Sequence, residues 1–329
     1  MTDEDNATRP HEGSDSHALG KARAAIHVVA GSGPVKADRL ARGLAHIRRR
    51  CGEPTQAPNL ATRTGYFAGD DATRLATLDA AFRDAQARVV WAARGGYGLT
   101  RLLRRLDPAP LRERPKLLVG FSDVTALLCW AWTQAGLMGV HGPVVGQLGE
   151  LPPDDLERLW TLLEGELPEP LVAGEDGQPC TTLGAGRVEG RLFPANLEIL
   201  RTLIGTPWLP DLRGAIVAVE EIGERPYRLD RALTHLLESG ALRGVAGVAV
   251  GQLHACVEPE NGGSKGWSAE EVIEDRFGRL GVPVLTGLPF GHAPKRNAAL
   301  PFGAPARLDL EGASLEILEW SPPAALSQS

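Results

Sequence analysis

The chain has 329 residues, a length at which one hydrophobic core usually stops growing, so two domains are expected. Hydrophobic residues make up 43% and charged residues 23%, as in ordinary soluble proteins, and a net charge of −6 offers no basic face to nucleic acid. No apolar run approaches the ~20 residues of a spanning helix, which excludes a helical membrane anchor.

Residues 1–23, "MTDEDNATRPHEGSDSHALGKAR", are polar and lack the apolar centre of a secretory signal. They read as a disordered tail, and the protein is expected in the cytoplasm. Cys51, Cys129, Cys180 and Cys256 are scattered without a CxxC pair, which suits reduced thiols in that compartment. His254 and Cys256 in "HAC" could be half a metal site, but no second pair is spaced to complete it, so no metal is expected.

From Ala24 the chain alternates short apolar runs with amphipathic stretches. "AAIHVVAGS" reads as a strand, "VKADRLARGLAHIRRRCG" as a helix closed by glycine, and "DDATRLATLDAAFRDA" as a helix opened by dipole-compatible aspartates. "ARVVWAARGG" is the next strand and "LTRLLRRLD" a short helix. "KLLVGFS", "DVTALLCWAWTQAG" and "MGVHGPVV" give strand, helix and strand. This alternation implies a parallel sheet covered on both faces, with ligands beyond the carboxyl ends of its strands.

"LPPDDLERLWTLLEGELPEPLVAGEDGQP" holds one helix and then a Pro/Gly/Glu-rich linker. Beyond it, "GAIVAVEEI" and "VAGVAVGQL" read as strands, and "ANLEILRTLIG" and "YRLDRALTHLLESGAL" as helices. "SAEEVIEDRFGRLG" opens with a capping-box pattern, "VPVLTGLPFGH" is a strand with its exit loop, and "ARLDLEGASLEILE" resembles a hairpin. The expected division is an N-terminal α/β domain over 24–150, a connecting helix and linker over 151–185, and a mixed α+β domain over 186–329.

Two strand exits could carry chemistry. Ser122 follows an apolar strand and opens a helix, so it is either an N-cap or a hydroxyl exposed where backbone amides converge. The second glycine of the G-x-S-x-G elbow is missing, which argues against an α/β-hydrolase. "RGGYG", Arg94 to Gly98, could let backbone amides approach a ligand, or could simply turn. Neither Walker spacing nor G-x-G-x-x-G supports a phosphate cradle. "GSGP" at Gly31 reads as a plain turn.

His141 and His292 each stand at a strand end and could act as general base, with Lys295 as an alternative. One of the carboxylates Glu220 and Glu221, at the end of "VAVEEI", could orient an imidazole or could be a solvated acidic pair.

Taken together and in order, the motifs "GYFAGDDATRLATLDAAF", "ARGGYG", "GFSDVTALL", "HGP", "GTPW", "VEEIGERPYRLDRAL" and "GLPFGHAPKRNAALPFG" strongly resemble the LD-carboxypeptidase family of serine peptidases, which includes the microcin C immunity peptidases. The resemblance runs from about Ile26 to the end of "FGAPARLDL". It implies an α/β fold: a parallel-sheet N-terminal domain of flavodoxin- or glutamine-amidotransferase-like type, plus a mixed α+β C-terminal domain. It also implies a triad in which Ser122 is the nucleophile, Glu220 the orienting acid and His292 the base. The amide of Asp123 and one from the Gly95–Gly96 turn would bind the oxyanion. The chain departs from the family's pattern at Glu221, where aspartate is commoner, and in "LFPAN" before Asn196, where relatives carry a "GGN" type turn.

The family's reaction removes terminal D-alanine from murein tetrapeptide during cytoplasmic peptidoglycan recycling, and needs no cofactor. Arg94, Arg228 and Arg296 are candidates to hold the terminal carboxylate. The expected partner is a small murein-like peptide, with neither nucleic acid nor membrane, and a homodimer is expected to support the site. The alternative is an immunity-type peptidase acting on peptidyl- or aminoacyl-adenylate analogues, with Trp208 or Trp267 as purine platform. A catalytically silent binding module using the same crevice is a third reading.

Overall fold

Apolar strands followed by glycine-containing exits build the first sheet, and the computed structural model describes it as part of residues 25–175, 177, 179–259, 266–324 and 326. The tail expected over 1–23 lies outside the described residues. Five parallel strands come first: β1 (Ala25–Val29), β2 (Thr55–Gln56), β3 (Ala87–Ala92), β4 (Leu117–Val119) and β5 (Gly139–His141). Between them lie helices α1 (Ala37–Cys51), α2 (Asp71–Arg83), α3 (Ala109–Glu113) and α4 (Thr125–Ala135). Their buried faces cover an apolar sheet in which Val28, Val89, Trp91 and Leu117 have no exposed surface.

Helix α5 (Pro153–Glu164) leads to short β6 (Leu171–Val172) and β7 (Thr182–Leu183), then to the ten-residue β8 (Arg187–Asn196). There follow α6 (Leu197–Thr202), β9 (Ile216–Ile222), α7 (Pro226–Glu238), β10 (Gly247–His254), α8 (Ala269–Gly278) and β11 (Val284–Leu285). The chain closes with β12 (Leu300–Phe302), β13 (Pro305–Asp309) and β14 (Ser314–Ile317).

The strand order of the first sheet is β12-β5-β4-β3-β1-β2, with β12 antiparallel to β5. Without β12 this is the doubly wound order 2-1-3-4-5, whose order reverses between β1 and β3 and opens a crevice at their carboxyl ends. The second sheet runs β6-β14-β13-β8-β9-β10-β11-β7, parallel from β8 to β11 and antiparallel elsewhere. Aromatic rings pack the two sheets together: Phe193 lies 5.3 Å from Trp132 and 5.2 Å from Phe302.

Local signals in the sequence account for several boundaries. Asp70 caps α2 by accepting from the Thr73 amide at 2.7 Å. Ser268 and Glu271 form the expected reciprocal box at the start of α8. The expected hairpin over 306–319 is β13 paired with β14. One element differs: "LTRLLRRLD" folds as two 3-10 turns, Leu99–Arg101 and Leu103–Arg105, not one helix. Pro108 follows directly and disfavours helical geometry at the residue before it.

Candidate active site

Ser122 stands where β4 passes into α4, through a 3-10 turn at Ser122–Val124. Its φ is +64°, a left-handed conformation that costs a non-glycine residue on the order of 1–3 kcal/mol. The preceding Gly120 has φ +154°, and a Cβ there would come within 2.9 Å of Val124 and 3.1 Å of Ala92. The chain therefore turns sharply and leaves the serine side chain half-exposed. The hydroxyl caps nothing, since neither the 3-10 turn nor α4 has a side-chain cap. Of the two readings open for Ser122, the N-cap is not realised.

The two glutamates at the end of β9 separate by the alternation of a strand. Glu220 is fully buried and its Oε2 lies 2.5 Å from Nδ1 of His292. Its Oε1 has no hydrogen-bond partner among the described residues. Glu221 turns elsewhere and accepts from Asn196 Nδ2 (2.9 Å), the Glu198 amide (2.8 Å) and the Ile222 amide (2.8 Å). Burial, followed by the adjacent Glu220 charge, pushes the Glu221 carboxyl up to about 7.

His292 follows Gly291, whose φ of +129° lets the backbone approach Glu220; a Cβ there would sit 3.0 Å from Glu220 Cβ. The imidazole ring lies 4.5 Å from that of Phe121, the residue before Ser122. With Nδ1 on the carboxylate, Nε2 is the nitrogen left for the cavity. Ser122 and His292 line this one cavity of about 580 Å³ and make no hydrogen bond to each other.

Gly95 and Gly96, at the exit of β3, line the same cavity. A Cβ on Gly95 would fall 2.9 Å from Ser122 Cβ and 3.1 Å from its Oγ, so only glycine allows this approach. Gly96 has φ +125°. Among the described residues, neither amide donates to the protein's own backbone. The cavity therefore meets the crevice expected at the β1/β3 switch point, with Pro34, Val35 and Lys36 on its other wall.

The arginine candidates part company. Arg94 lines the cavity and donates Nη1 to the Pro34 carbonyl at 3.0 Å. Arg228 lies on α7 and contacts the Tyr227 hydroxyl (3.2 Å) and Glu224 (3.4 Å). Arg296 pairs with Asp155 at 3.2 Å. Lys295 is exposed in a neighbouring depression. His141 is fully buried, with both ring nitrogens unpartnered, between the edges of Phe121 and Phe290. Burial, then the charge of His292, pulls its pKa down to about 3, so it stays neutral. Trp208 packs against Arg104, and Trp267 is exposed; neither is among the described residues lining the cavity.

Several residues that shape the site escaped sequence reasoning. Gln252, buried on β10, accepts from the Ala293 amide at 2.7 Å. Asn297 accepts from the Gly291 amide at 3.1 Å, and its own amide donates to Asp155 at 2.7 Å. Together they pin the loop carrying His292. A glutamine inside the apolar run "VAGVAVGQL" was the available signal. Arg63 also lines the cavity and has no carboxylate partner among the described residues, unlike Arg39, which pairs with Glu150 at 3.2 Å.

Comparison with known proteins identifies the family. The LD-carboxypeptidase N-terminal domain matches residues 26–142, and the LD-carboxypeptidase C-terminal domain matches residues 189–308. The murein tetrapeptide carboxypeptidase of Pseudomonas aeruginosa is 36% identical over 256 residues, covering 75% of this chain and 80% of that protein. The crystal structure of muramoyltetrapeptide carboxypeptidase from Oxalobacter formigenes superposes with a TM-score of 0.74 at 30% identity, over 89% of this chain and 97% of that one. The microcin C7 self-immunity protein MccF in complex with glutamyl sulfamoyl guanosine gives a TM-score of 0.77 over 91% of this chain and 97% of that one. At 23% identity that likeness is one of fold.

Proposed function

This chain belongs to the LD-carboxypeptidase family, and from that premise we propose that it is a serine peptidase cleaving the L,D amide bond to the terminal D-alanine of a murein tetrapeptide. Ser122 is the nucleophile, His292 the general base and Glu220 its orienting acid. The observation that carries this reading is the imidazole held by Glu220 on the cavity that also exposes the strained serine.

In the proposed reaction His292 Nε2 takes the Ser122 hydroxyl proton as Oγ bonds to the scissile carbonyl carbon. The oxyanion so formed accepts from the amides of Asp123 and the Gly95–Gly96 turn, each donor contributing roughly 3–4 kcal/mol. His292 then gives its proton to the leaving amine and D-alanine departs. Water, deprotonated by the same imidazole, resolves the acyl-enzyme. Ser122 and His292, which make no hydrogen bond to each other, are drawn into reach as the reaction proceeds, as is common in such sites.

We place the nucleophile in an N-terminal unit, 24–150, and the acid and base in a C-terminal unit, 186–329. We further propose a cytoplasmic homodimer acting in peptidoglycan recycling. Light scattering of the purified protein tests the dimer.

Incubation with murein tetrapeptide and mass spectrometry of the trapped acyl-enzyme test the central claim. An adduct on Ser122 and release of D-alanine are expected; a label on any other side chain overturns the assignment. The immunity-type alternative draws on the MccF fold likeness. Turnover of an aminoacyl sulfamoyl-adenylate in preference to the tetrapeptide would establish it instead.

A further inference from the structure

We propose that the Asp123 side chain is a positioning residue of the reaction, clamping the exits of β1 and β3 to the serine turn and so setting the oxyanion-binding amides. The inference rests on the serine-peptidase reading above and assigns a role to a carboxyl that reading does not use.

Asp123 is fully buried. A single oxygen, Oδ2, accepts from the Ser32 hydroxyl at 2.6 Å and from the Leu99 amide at 3.0 Å, while Oδ1 has no partner among the described residues. Ser32 lies in the loop after β1, Leu99 opens the turn after "RGGYG", and Asp123 is bonded to Ser122. One atom thus joins three adjacent strand exits beneath the cavity.

Each tie is itself anchored. The buried Arg74 donates to the Gly31 carbonyl at 2.6 Å and to Asp71 at 2.5 Å, fixing the backbone beside Ser32. Its guanidinium lies 4.3 Å from the centre of the Phe67 ring. Gly98, with φ +125°, rests on this pair: a Cβ there would fall 2.5 Å from Arg74 Nη1 and 2.6 Å from Phe67. The glycine turn is therefore held from behind by Arg74 and from below by Asp123. The Leu99 amide, by donating to Asp123 Oδ2 at 3.0 Å, ties this turn to the residue that follows Ser122.

Packing alone does not call for an acid here. Burial works against the charged form of Asp123 and pushes its pKa up, a cost that an apolar residue of similar volume would avoid. What the carboxyl provides is an acceptor with two fixed directions.

The test compares Asp123→Ala, Asp123→Asn and Ser32→Ala with the parent enzyme. The readouts are steady-state kinetics on murein tetrapeptide and the affinity of a peptide boronic acid, whose tetrahedral adduct on Ser122 places an oxygen in the oxyanion position. Asp123→Ala is expected to lower kcat about 100-fold with KM nearly unchanged, the size of effect a lost oxyanion contact produces. Asp123→Asn retains an acceptor for Ser32 and Leu99 and should restore most of that loss. Ser32→Ala should weaken boronate binding while leaving the affinity for the product tripeptide unaltered.

A parental kcat in Asp123→Ala, a loss confined to KM, or Asp123→Asn as damaging as Asp123→Ala would overturn the proposal. Should Asp123→Ala not fold, Ser32→Ala decides alone, and unchanged kcat with unchanged boronate affinity overturns it. A parent that cleaves no L,D-tetrapeptide overturns the underlying reading instead; boronate capture by parent and Ser32→Ala still measures the clamp.

Discussion

Glu220 and Glu221 are consecutive, both buried, and committed to different partners: one carboxylate meets His292 Nδ1 at 2.5 Å, the other binds Asn196 and two backbone amides. The substitutions should therefore separate. Glu220→Gln is expected to lower kcat by about 10³–10⁴-fold, because an amide cannot stabilise the imidazolium or enforce its tautomer. Glu221→Gln should cost far less in kcat, and equal losses in the two variants would contradict the geometry.

Glu221 should instead be visible in the pH dependence of stability. Its pKa is raised from an ordinary 4.5 to about 7, so the folded protein binds more protons than the unfolded chain between those values. This stability is complete below about pH 4.5, falls as pH rises towards 7, and is absent above it. The difference in melting temperature between the parent and Glu221→Gln should fall across pH 4–8; a flat or rising difference would refute the raised pKa.

The strained backbone at Ser122 distinguishes two inactive variants. Ser122→Ala keeps a Cβ at φ +64° and should melt close to the parent. Ser122→Gly relieves the strain and should be more stable by about 1 kcal/mol. Calorimetry finding the two indistinguishable would remove the strain argument.

Gly95→Ala probes space without a positive φ. The new methyl would lie 2.9 Å from Ser122 Cβ, so the turn and Ser122 must move apart. A displacement approaching 1 Å corresponds to a loss of about 100-fold in kcat. Retention of parental kcat would mean that the turn does not contribute to the oxyanion site.

The cavity's arginines can be sorted by substrate chemistry. Arg63 and Arg94 face the cavity, whereas Arg228 and Arg296 are engaged elsewhere. If either of the first two binds the terminal carboxylate, its alanine variant should lose about 2 kcal/mol in kcat/KM. That variant should also no longer discriminate between free and amidated termini. Arg228→Ala and Arg296→Ala should keep the parental preference.

Much of this arrangement was legible from the chain. Periodicity and capping residues located β1, β3, β4 and α1, and the Ser268–Glu271 box marked the start of α8. Such signals are local, each decided within one or two turns of chain. The short edge strands β2, β6 and β7, two residues each, carry too few side chains to show a period. Strand β12 joins the first sheet only through a partner 160 residues earlier, a pairing without local trace. The same limit hid the engagement of Arg296 with Asp155 and the two-way clamp on Asp123, since both depend on residues distant in sequence. The resemblance supplied the positions of the proposed triad; the geometry gave Glu220 and Glu221 different partners.

The antiparallel pairing of Leu300–Phe302 with Gly139–His141 also bears on biosynthesis. During translation the edge of β5 emerges long before the segment that covers it, so a nascent chain carries an open, hydrogen-bonding flank until residues 300–302 have also left the ribosome. The same late segment follows His292 by only eight residues. The His292 imidazole and the cover of that edge thus emerge almost simultaneously, and a polypeptide that stops before residue 300 leaves the flank of β5 open.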